Sequence, residues 1–357
     1  MVTWAPRGGH EYLICLKQPW DVSRQAVQRE HSSGCFKMRL NMASRTAVAL
    51  LFVLSLAQGC SHPAPSQTAS ATKPPTGPPQ VLAVYEAWFG HPKHISISYS
   101  SHDPDVIRKQ IRQAKAMGVS GFVVDWYGYR EPFVDHSYAL LQSIAAEEKF
   151  QMAMMYDESD DEEGATDESI EDLKLFKKTY LAPGAPGRQA YLMYNGRPVI
   201  FIFPKRHTDW TRVRAEINKW DKPPLLIDEY PPGPSAAAID GYYAWVSPVT
   251  GGDGSNWGEQ SLHSFYGTMQ SKYPDKIVVG GAWPSFDDSK AAWGLNRHIS
   301  PRCGKTFEDT FNMGRQYAAE HSMPFLLIGT WNDYEEGTAI EKGIQDCGST
   351  KPITIPH

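Results

Sequence analysis

Short apolar segments alternate with amphipathic segments along most of this chain, and the alternation restricts the folds that it can adopt. The apolar segments carry no polar face, as expected of parallel strands that are covered on both sides. The amphipathic segments repeat apolar residues at helical spacing; the first begins after Asp103, a typical N-cap residue, and carries Val106 and Ile107 on one face. The predicted strands are 81–89, 119–126, 150–156, 198–203, 225–227, 242–246, 276–282 and 325–328. The remaining predicted helices are 138–149, 170–180, 211–220, 260–272 and 307–320.

Eight strands with mostly helical connections predict an α/β fold, a single (β/α)8 TIM barrel. A doubly wound open sheet is the alternative, but no Gly-rich nucleotide turn follows the first strand. No convincing helix follows the fifth strand, and only sixteen residues follow Glu341. We therefore expect the eighth helix to be short, irregular or replaced by the tail.

Residues 38–60 have the pattern of a secretory signal peptide. Arg39 and Arg45 precede the apolar run 47–56, which is too short to span a bilayer as a helix. Gly59 before Cys60 resembles a bacterial lipoprotein box. Cys60 is therefore a lipidation candidate, with secretion of an unlipidated protein as the alternative.

The remaining organisation follows from composition. Residues 1–37 show no clear periodicity and would bury the signal inside the chain, so we interpret them as a leader from an overextended gene start. Residues 61–80 are rich in Ser, Thr, Ala and Pro and predict a linker, and residues 81–357 predict the catalytic barrel. We expect an exported protein of the bacterial periplasm or cell surface, touching the membrane only through a lipid on Cys60.

The 357 residues, 41% of them hydrophobic, are enough for one large core, and a net charge of -5 argues against a nucleic-acid partner. No Cys or His pair has metal-ligand spacing, so we expect no metal and no cofactor. Cys303 and Cys347 follow the seventh and eighth predicted strands, whose loops are neighbours in a barrel. They predict a disulfide, with two free thiols as the alternative. We expect a monomer.

The strongest functional signal follows the eighth strand. The apolar run 325–328 gives way to a cluster of acidic and aromatic residues, at the barrel end where catalytic groups collect. Crowded carboxylates repel one another, so at least one should have a raised pKa and donate a proton near neutral pH. A proton-donating acid beside an ionised one is the equipment for cleaving a glycosidic bond. We predict Asp333 and Glu336 as the catalytic pair; the alternative is that they cap a solvated turn.

Aromatic and acidic residues also end most of the other predicted strands. Indole and phenol rings offer flat faces to sugar rings, and acids between them accept hydrogen bonds from hydroxyls. The alternatives are packing between barrel and helices for the rings and helix capping for the acids. The predicted substrate-binding residues are Tyr85, Trp88, Asp125, Trp126, Tyr156, Asp157, Glu229, Tyr230, Trp245, Trp283, Trp331 and Asn332.

The segment WNDYEEGTAIE, residues 331–341, resembles the WNEWHEGTQIE-type signature of glycoside hydrolase family 99, the endo-α-mannosidases and endo-α-mannanases. Its WNDY half is equally similar to the WNDYGES signature of family 71, the α-1,3-glucanases. VYEAWFG and GVSGFVVDWYG resemble the first two strands of family 99. The resemblance implies that Glu336 is a general acid and base. It also implies that Asp333 assists attack by the substrate's own 2-hydroxyl, through a 1,2-anhydro sugar and with net retention.

The chain departs from family 99 where this chemistry is sensitive. Asp333 stands where the signature has Glu, which withdraws its carboxylate by roughly 1.5 Å, enough to matter at a reacting centre. Direct attack by water with inversion, as in family 71, is therefore also open. Tyr334, Glu335 and Ala339 replace Trp, His and Gln, so substrate choice does not carry over.

These observations predict a glycoside hydrolase that acts on α-linked glycan or polysaccharide, in endo fashion. An inverting α-1,3-glucanase-like hydrolase is the enzymatic alternative. A surface lipoprotein that binds glycans without cleaving them is the alternative of a different class.

Overall fold

The structure is a computed structural model, and it describes residues 77–250, 255–353 and 355. These residues fall within the second of two compact units, Thr68–His357. The predictions for the leader 1–37, the signal 38–60 with Cys60, and residues 61–76 of the linker lie outside the described residues. In the described part of the chain, no helix is both long enough and apolar enough to cross a membrane.

Eight parallel strands form a closed barrel in chain order. They are β1 (Gln80–Tyr85), β2 (Gly121–Trp126), β3 (Gln151–Asp157), β4 (Arg197–Phe203), β5 (Leu225–Glu229), β6 (Gly241–Tyr243), β7 (Ile277–Ala282) and β8 (Phe325–Ile328). Each strand pairs with the next, and β8 closes the barrel by pairing with β1, where Val81 is opposite Leu326. The predicted (β/α)8 barrel is confirmed.

Helices cover the outside of the barrel. They are α1 (Pro104–Met117), α2 (Pro132–Glu147), α3 (Ala165–Phe176), α4 (Trp210–Ile217), α5 (Glu259–Lys272) and α6 (Lys305–Glu320). Asp103 caps α1 as predicted, because its carboxylate accepts the N–H groups of Asp105 and Val106. Only a single 3-10 turn, Ala236–Ala238, lies between β5 and β6.

The eighth helix is replaced by the tail in the described residues. A hairpin of Ile344–Asp346 and Ser349–Lys351 follows β8, and Ile355 then donates a backbone hydrogen bond to Met117 at the end of α1. Cys303 and Cys347 pair as a disulfide with Cα atoms 4.7 Å apart. This bond links the hairpin to the loop before α6.

The side chains of each strand alternate between two cores. Val84, Val123, Met155, Phe201 and Tyr243 belong to the core that fills the barrel interior. Their neighbours along each strand belong to the larger core between the barrel and the helices. Each fully buried aliphatic or aromatic side chain contributes roughly 1.5–3 kcal/mol. Every second side chain of a strand points to the same face. The residue two positions after the last interior residue of a strand therefore points into the carboxyl-terminal mouth of the barrel.

Candidate active site

This alternation places an acidic layer in the mouth. Two positions beyond the interior residues of β1, β2, β3 and β5 are Glu86, Asp125, Asp157 and Glu229. The same position after β6 is Trp245, whose ring packs against Gly329, where an added Cβ would come within 3.0 Å of it. The mouth therefore combines an aromatic floor with several carboxyl groups. We call Glu86, Asp125, Asp157 and Glu229 the mouth acids.

Asp333 is held rigidly in the loop after β8. Its Oδ1 accepts the N–H groups of Glu335 and Glu336, both at 2.9 Å. Its own N–H donates to Thr330 Oγ1 at 2.8 Å. Asp333 is only 4% exposed. It therefore caps a turn, and the cap also sets the direction of its carboxyl group.

Glu336 follows within the same turn and remains partly exposed. Its Oε1 accepts a hydrogen bond from Trp293 Nε1 at 3.0 Å, and Arg297 Nη2 lies 3.8 Å away. Arg297 is itself held by Asp288 at 2.7 Å. Glu336 therefore has a fixed carboxyl group that solvent can reach.

Burial raises the pKa of Asp333 to about 8, and the nearby charge of Glu336 adds to the shift. Burial also raises the pKa of Glu336, against the opposing effects of the Trp293 hydrogen bond and Arg297. Because the charge of Glu336 acts on Asp333, the two carboxyl groups titrate as a pair, and the pair retains a proton near neutral pH. A retained proton is what a general acid requires.

Glu86 is a site acid that sequence reasoning missed. It is 4% exposed, and its Oε2 is buried without a hydrogen-bond partner among the described residues. Its pKa is raised well above the usual value, first by burial and then by the charges of Asp125 and Asp333. The strand alternation could have identified it, since it lies two positions after the interior residue Val84.

Asp125 and Asp157 lie in the mouth, and a lysine compensates part of their charge. Burial raises the pKa of Asp125 to about 6, although a hydrogen bond from Tyr127 and the charge of Lys205 oppose the shift. Lys205 Nζ lies 3.5 Å from Asp157 Oδ1. Burial raises the pKa of Glu229 to about 7. Lys205 was not predicted, because it lies beyond the end of the fourth strand in a loop without a recognisable motif.

Asn332 does not face the cleft, which corrects its assignment to substrate binding. Its side chain is fully buried, with Nδ2 donating to the carbonyl of Glu86 at 3.0 Å and Oδ1 accepting the N–H of Glu86 at 2.8 Å. The side-chain amide therefore bonds to the main chain at the end of β1 and is not free to bind a substrate. Asn332 therefore positions Glu86.

The predicted aromatic ring around the cleft is corrected for six of its members. Tyr85, Trp126 and Tyr156 point outward and donate hydrogen bonds to Gln110, Asp135 and Asp172 respectively. The alternation of side chains explains this, since each is adjacent in sequence to a residue that faces the mouth or the interior. The six outward or fully buried aromatic residues are Tyr85, Trp126, Tyr156, Tyr230, Trp283 and Trp331.

Three aromatic residues do lie at the mouth. Trp245 forms its floor, and Trp88 stacks on His94 with ring centroids 4.5 Å apart. His94 Nδ1 bonds to the buried carboxylate of Glu335 at 2.8 Å, which holds this loop against the loop after β8. Trp293, which was not predicted, is 43% exposed and lies edge-on to Trp88 with centroids 6.2 Å apart. In the described part of the chain, no group of three His, Cys, Asp or Glu side chains is placed to hold a metal ion.

Comparisons with known proteins bear on the fold and on the family resemblance. No protein-family model matches the chain. A mouse protein named glycoprotein endo-alpha-1,2-mannosidase-like protein is 24% identical over 284 residues, which cover 72% of this chain and 60% of the mouse protein. The chain thus spans less than two thirds of the relative's length.

Two solved structures of the GH99 endo-alpha-mannosidase from Bacteroides thetaiotaomicron share the fold. One, bound to bis-tris propane, is 20% identical with a TM-score of 0.59 and covers 77% of this chain and 90% of its own. The other is 19% identical with a TM-score of 0.60 and covers 78% and 92%. The resemblance to glycoside hydrolase family 99 is confirmed. The structure of a glycoside hydrolase-like protein is also similar, with 15% identity and a TM-score of 0.54. The match covers 76% of this chain and 89% of that protein.

Proposed function

We propose that this protein is a glycoside hydrolase that cleaves α-linked glycan or polysaccharide. Glu336 acts as general acid and base on the glycosidic oxygen, and Asp333 is its partner. The observation that carries this proposal is the turn in which Asp333 Oδ1 accepts the N–H of Glu336, because it holds two acids with raised pKa values together at the barrel mouth.

In the inverting form of the reaction, Glu336 gives its proton to the leaving glycosidic oxygen as the bond to the anomeric carbon breaks. A water oxygen bonds to that carbon, and Asp333 takes the water's proton; the reacting form is therefore the one in which the pair's single proton lies on Glu336 and Asp333 is ionised. In the retaining form, Asp333 instead assists the sugar's 2-hydroxyl, and water later opens the 1,2-anhydro sugar with Glu336 as base. In both forms Glu336 is the acid that protonates the leaving oxygen and Asp333 acts on the attacking hydroxyl group, which belongs to water in one form and to the sugar in the other.

The proposed substrate class begins with α-mannosides, because the named relatives are an endo-alpha-mannosidase and an endo-alpha-1,2-mannosidase-like protein. α-1,3-Glucans are the second class, favoured by the aspartate at position 333. The outer edge of the mouth supports binding of a polymer, since the exposed indole of Trp293 stands beside Glu336 and offers a face for a sugar ring.

The test is a screen of α-mannan and α-glucan oligosaccharides for release of new reducing ends. Glu336→Gln keeps the shape of the side chain and removes the transferable proton, so activity on any cleaved substrate should fall by about 10²–10⁴-fold. Glu320→Gln, at the exposed end of α6, is the matched control and should retain activity. Full activity of Glu336→Gln would refute the assignment. Binding of a glycan without cleavage by the unaltered protein would favour the non-catalytic alternative.

The stereochemical outcome is decided by NMR of the first product. An α-anomer formed from an α-linked substrate indicates retention, and a β-anomer indicates inversion by water. Inversion would agree with the shorter carboxylate at Asp333.

We further propose that the protein is exported and tethered through Cys60, which the signal-like pattern of residues 38–60 supports. Metabolic labelling with a palmitate analogue in a bacterial host tests this directly. Label should appear on the unaltered chain and not on Cys60→Ala. If neither chain is labelled and the protein is found in the soluble exported fraction, the protein is secreted without a lipid and the tether proposal is wrong.

A further inference from the structure

Glu86 lies in the mouth with one oxygen of its carboxyl group unbonded by any described residue. Its main chain is fastened by Asn332, but Oε2 is buried and has no hydrogen-bond partner among the described residues. The charges with the largest effect on Glu86 are all carboxylates. Leaving a buried acceptor without a donor is destabilising, and more so when the acceptor is charged.

Asp125 shares this condition on the neighbouring strand. It is 6% exposed, and its Oδ1 is also buried without a partner in the described residues. Val84 of β1 is in register with Val123 of β2. Glu86 and Asp125, each two positions further on, therefore leave the barrel side by side and on the same face. Two neighbouring carboxyl groups thus each present an acceptor that no described residue satisfies.

The charges of Lys205 and Arg130 act on Asp125, but the contacts of both side chains in this layer are with Asp157. Lys205 Nζ lies 3.5 Å from Asp157 Oδ1 and over the ring of Phe203, and Arg130 donates to the carbonyl of Asp157. Buried polar groups without partners are uncommon in folded proteins and concentrate where a ligand completes them. A ligand that completes Glu86 and Asp125 has to bring hydrogen-bond donors. Adjacent hydroxyl groups on one sugar ring are such donors, and they suit two acceptors that stand side by side.

We propose that Glu86, together with Asp125, accepts hydrogen bonds from hydroxyl groups of the sugar unit bound beside Asp333 and Glu336, and so determines which sugar the site accepts. The inference rests on the proposed glycoside hydrolase function. Glu86 takes no part in bond breaking. It contributes specificity, because a sugar that lacks the matching hydroxyl would leave Glu86 Oε2 and Asp125 Oδ1 buried and unpaired.

Binding without hydrolysis gives the cleanest test. In a Glu336→Gln background, calorimetry measures the Kd of α-mannan and α-1,3-glucan oligosaccharides, the probes used. Adding Glu86→Ala should weaken the tightest probe about 10-fold or more, a loss of about 1.4 kcal/mol. Adding Asp240→Asn should leave the Kd unchanged, because Asp240 pairs with Arg214 just before β6, at the opposite end of the barrel. Equal Kd values with and without Glu86→Ala would overturn the inference.

Deoxy versions of the probe identify the contact. Removing the hydroxyl that meets Glu86 should weaken binding to the parent and have little further effect in Glu86→Ala, so that the two losses do not add. Full additivity at every hydroxyl would overturn the inference. Tighter binding of an amino-sugar probe than of its hydroxyl counterpart would also overturn it, because the two acids would then recognise a cation.

Folding and the wider proposal are checked separately. Glu86→Gln keeps the side-chain volume and removes a buried acid, so its Tm should equal or exceed that of the parent, and it should reproduce the binding loss in part. Failure of the hydrolase proposal shows as activity retained in Glu336→Gln. Failure of the present inference shows as unchanged Kd in Glu86→Ala, whatever the activity. If no α-linked probe binds the Glu336→Gln protein, the inference is overturned.

Discussion

The side-chain amide of Asn332 forms two hydrogen bonds with the main chain of Glu86, one in each direction, at 2.8 and 3.0 Å. The pair fastens the end of β8 to the end of β1. It also explains why β1 ends at Tyr85, since the next peptide bonds to a side chain rather than to a neighbouring strand. One residue of the signature-like motif therefore positions Glu86, a mouth acid whose pKa is raised in part by the charges of Asp333 and Glu336, the proposed catalytic pair.

Asn332→Ala should lower the free energy of unfolding by about 1–3 kcal/mol, because it leaves the buried N–H and carbonyl of Glu86 without partners. Urea denaturation measures the change. Asn312→Ala, on an exposed position of α6, is the control and should stay within about 0.5 kcal/mol. A change as small at Asn332 as at Asn312 would show that the bond pair is dispensable.

Asp333→Asn should abolish activity and stabilise the fold at neutral pH. The folded-state pKa of Asp333 is about 8 against a usual value of 3.8. Between these values the folded protein binds the extra proton, so stability falls as pH rises, by up to about 1.4 kcal/mol per pH unit. Asn keeps the acceptor for the two backbone N–H groups and removes the charge.

The measurement is Tm or urea stability from pH 4 to pH 8 for Asp333→Asn and the unaltered protein. The gap between them should widen with rising pH and close near pH 4. If the variant and the unaltered protein lost the same amount of stability between pH 4 and pH 8, the raised pKa of Asp333 would be contradicted.

Trp293→Phe should raise the pKa of Glu336, because the indole hydrogen bond that favours the ionised carboxylate is lost. If Glu336 must be protonated to act, activity disappears above its pKa, and the alkaline limb of the kcat/KM profile should move to higher pH. Leu295→Ala changes another exposed apolar side chain of the same loop and should leave the limb in place. An alkaline limb that does not move in Trp293→Phe would argue against Glu336 as the acid.

Replacing both Cys303 and Cys347 by Ser should lower the free energy of unfolding by about 2–4 kcal/mol, as expected for a disulfide between residues 44 positions apart. Activity at 25 °C should change little, because neither cysteine belongs to the acidic layer. Dithiothreitol should lower the Tm of the unaltered protein and leave that of the double variant unchanged. Equal effects on both would show that the cysteines are not bonded in solution.

Much of the barrel could be predicted from local pattern. The predicted β8 has the observed bounds, because a short run without any polar residue is typical of a strand that is covered on both faces. Asp103 was a correct N-cap because capping depends only on the residues that follow it. The helix predicted at 170–180 begins earlier and leaves α-helical geometry at Lys177, where the chain forms a π-turn that no local signal marks.

The site was harder to predict than the fold. Proximity to a strand end suggested that Tyr85 and Trp126 would line the cleft, yet both side chains lie outside the barrel. Successive side chains of a strand point to opposite faces, so the face depends on whether the residue is at an odd or an even position and not on how near the strand end it lies. The same period, applied from Val84, would have identified Glu86 in place of Tyr85. Trp293 and Lys205 reach the mouth from irregular loops, where no periodicity guides a prediction.

The sequence by itself determined the apolar runs, the helix caps and the placing of Asp333 and Glu336 within one short turn, since each depends on neighbours along the chain. Only the tertiary structure decided which acids meet. Glu86 and Asn332 are 246 residues apart, and closure of β8 against β1 brings them into contact. That closure also buries the carboxyl groups together, and their burial raises the pKa values on which the proposed chemistry depends.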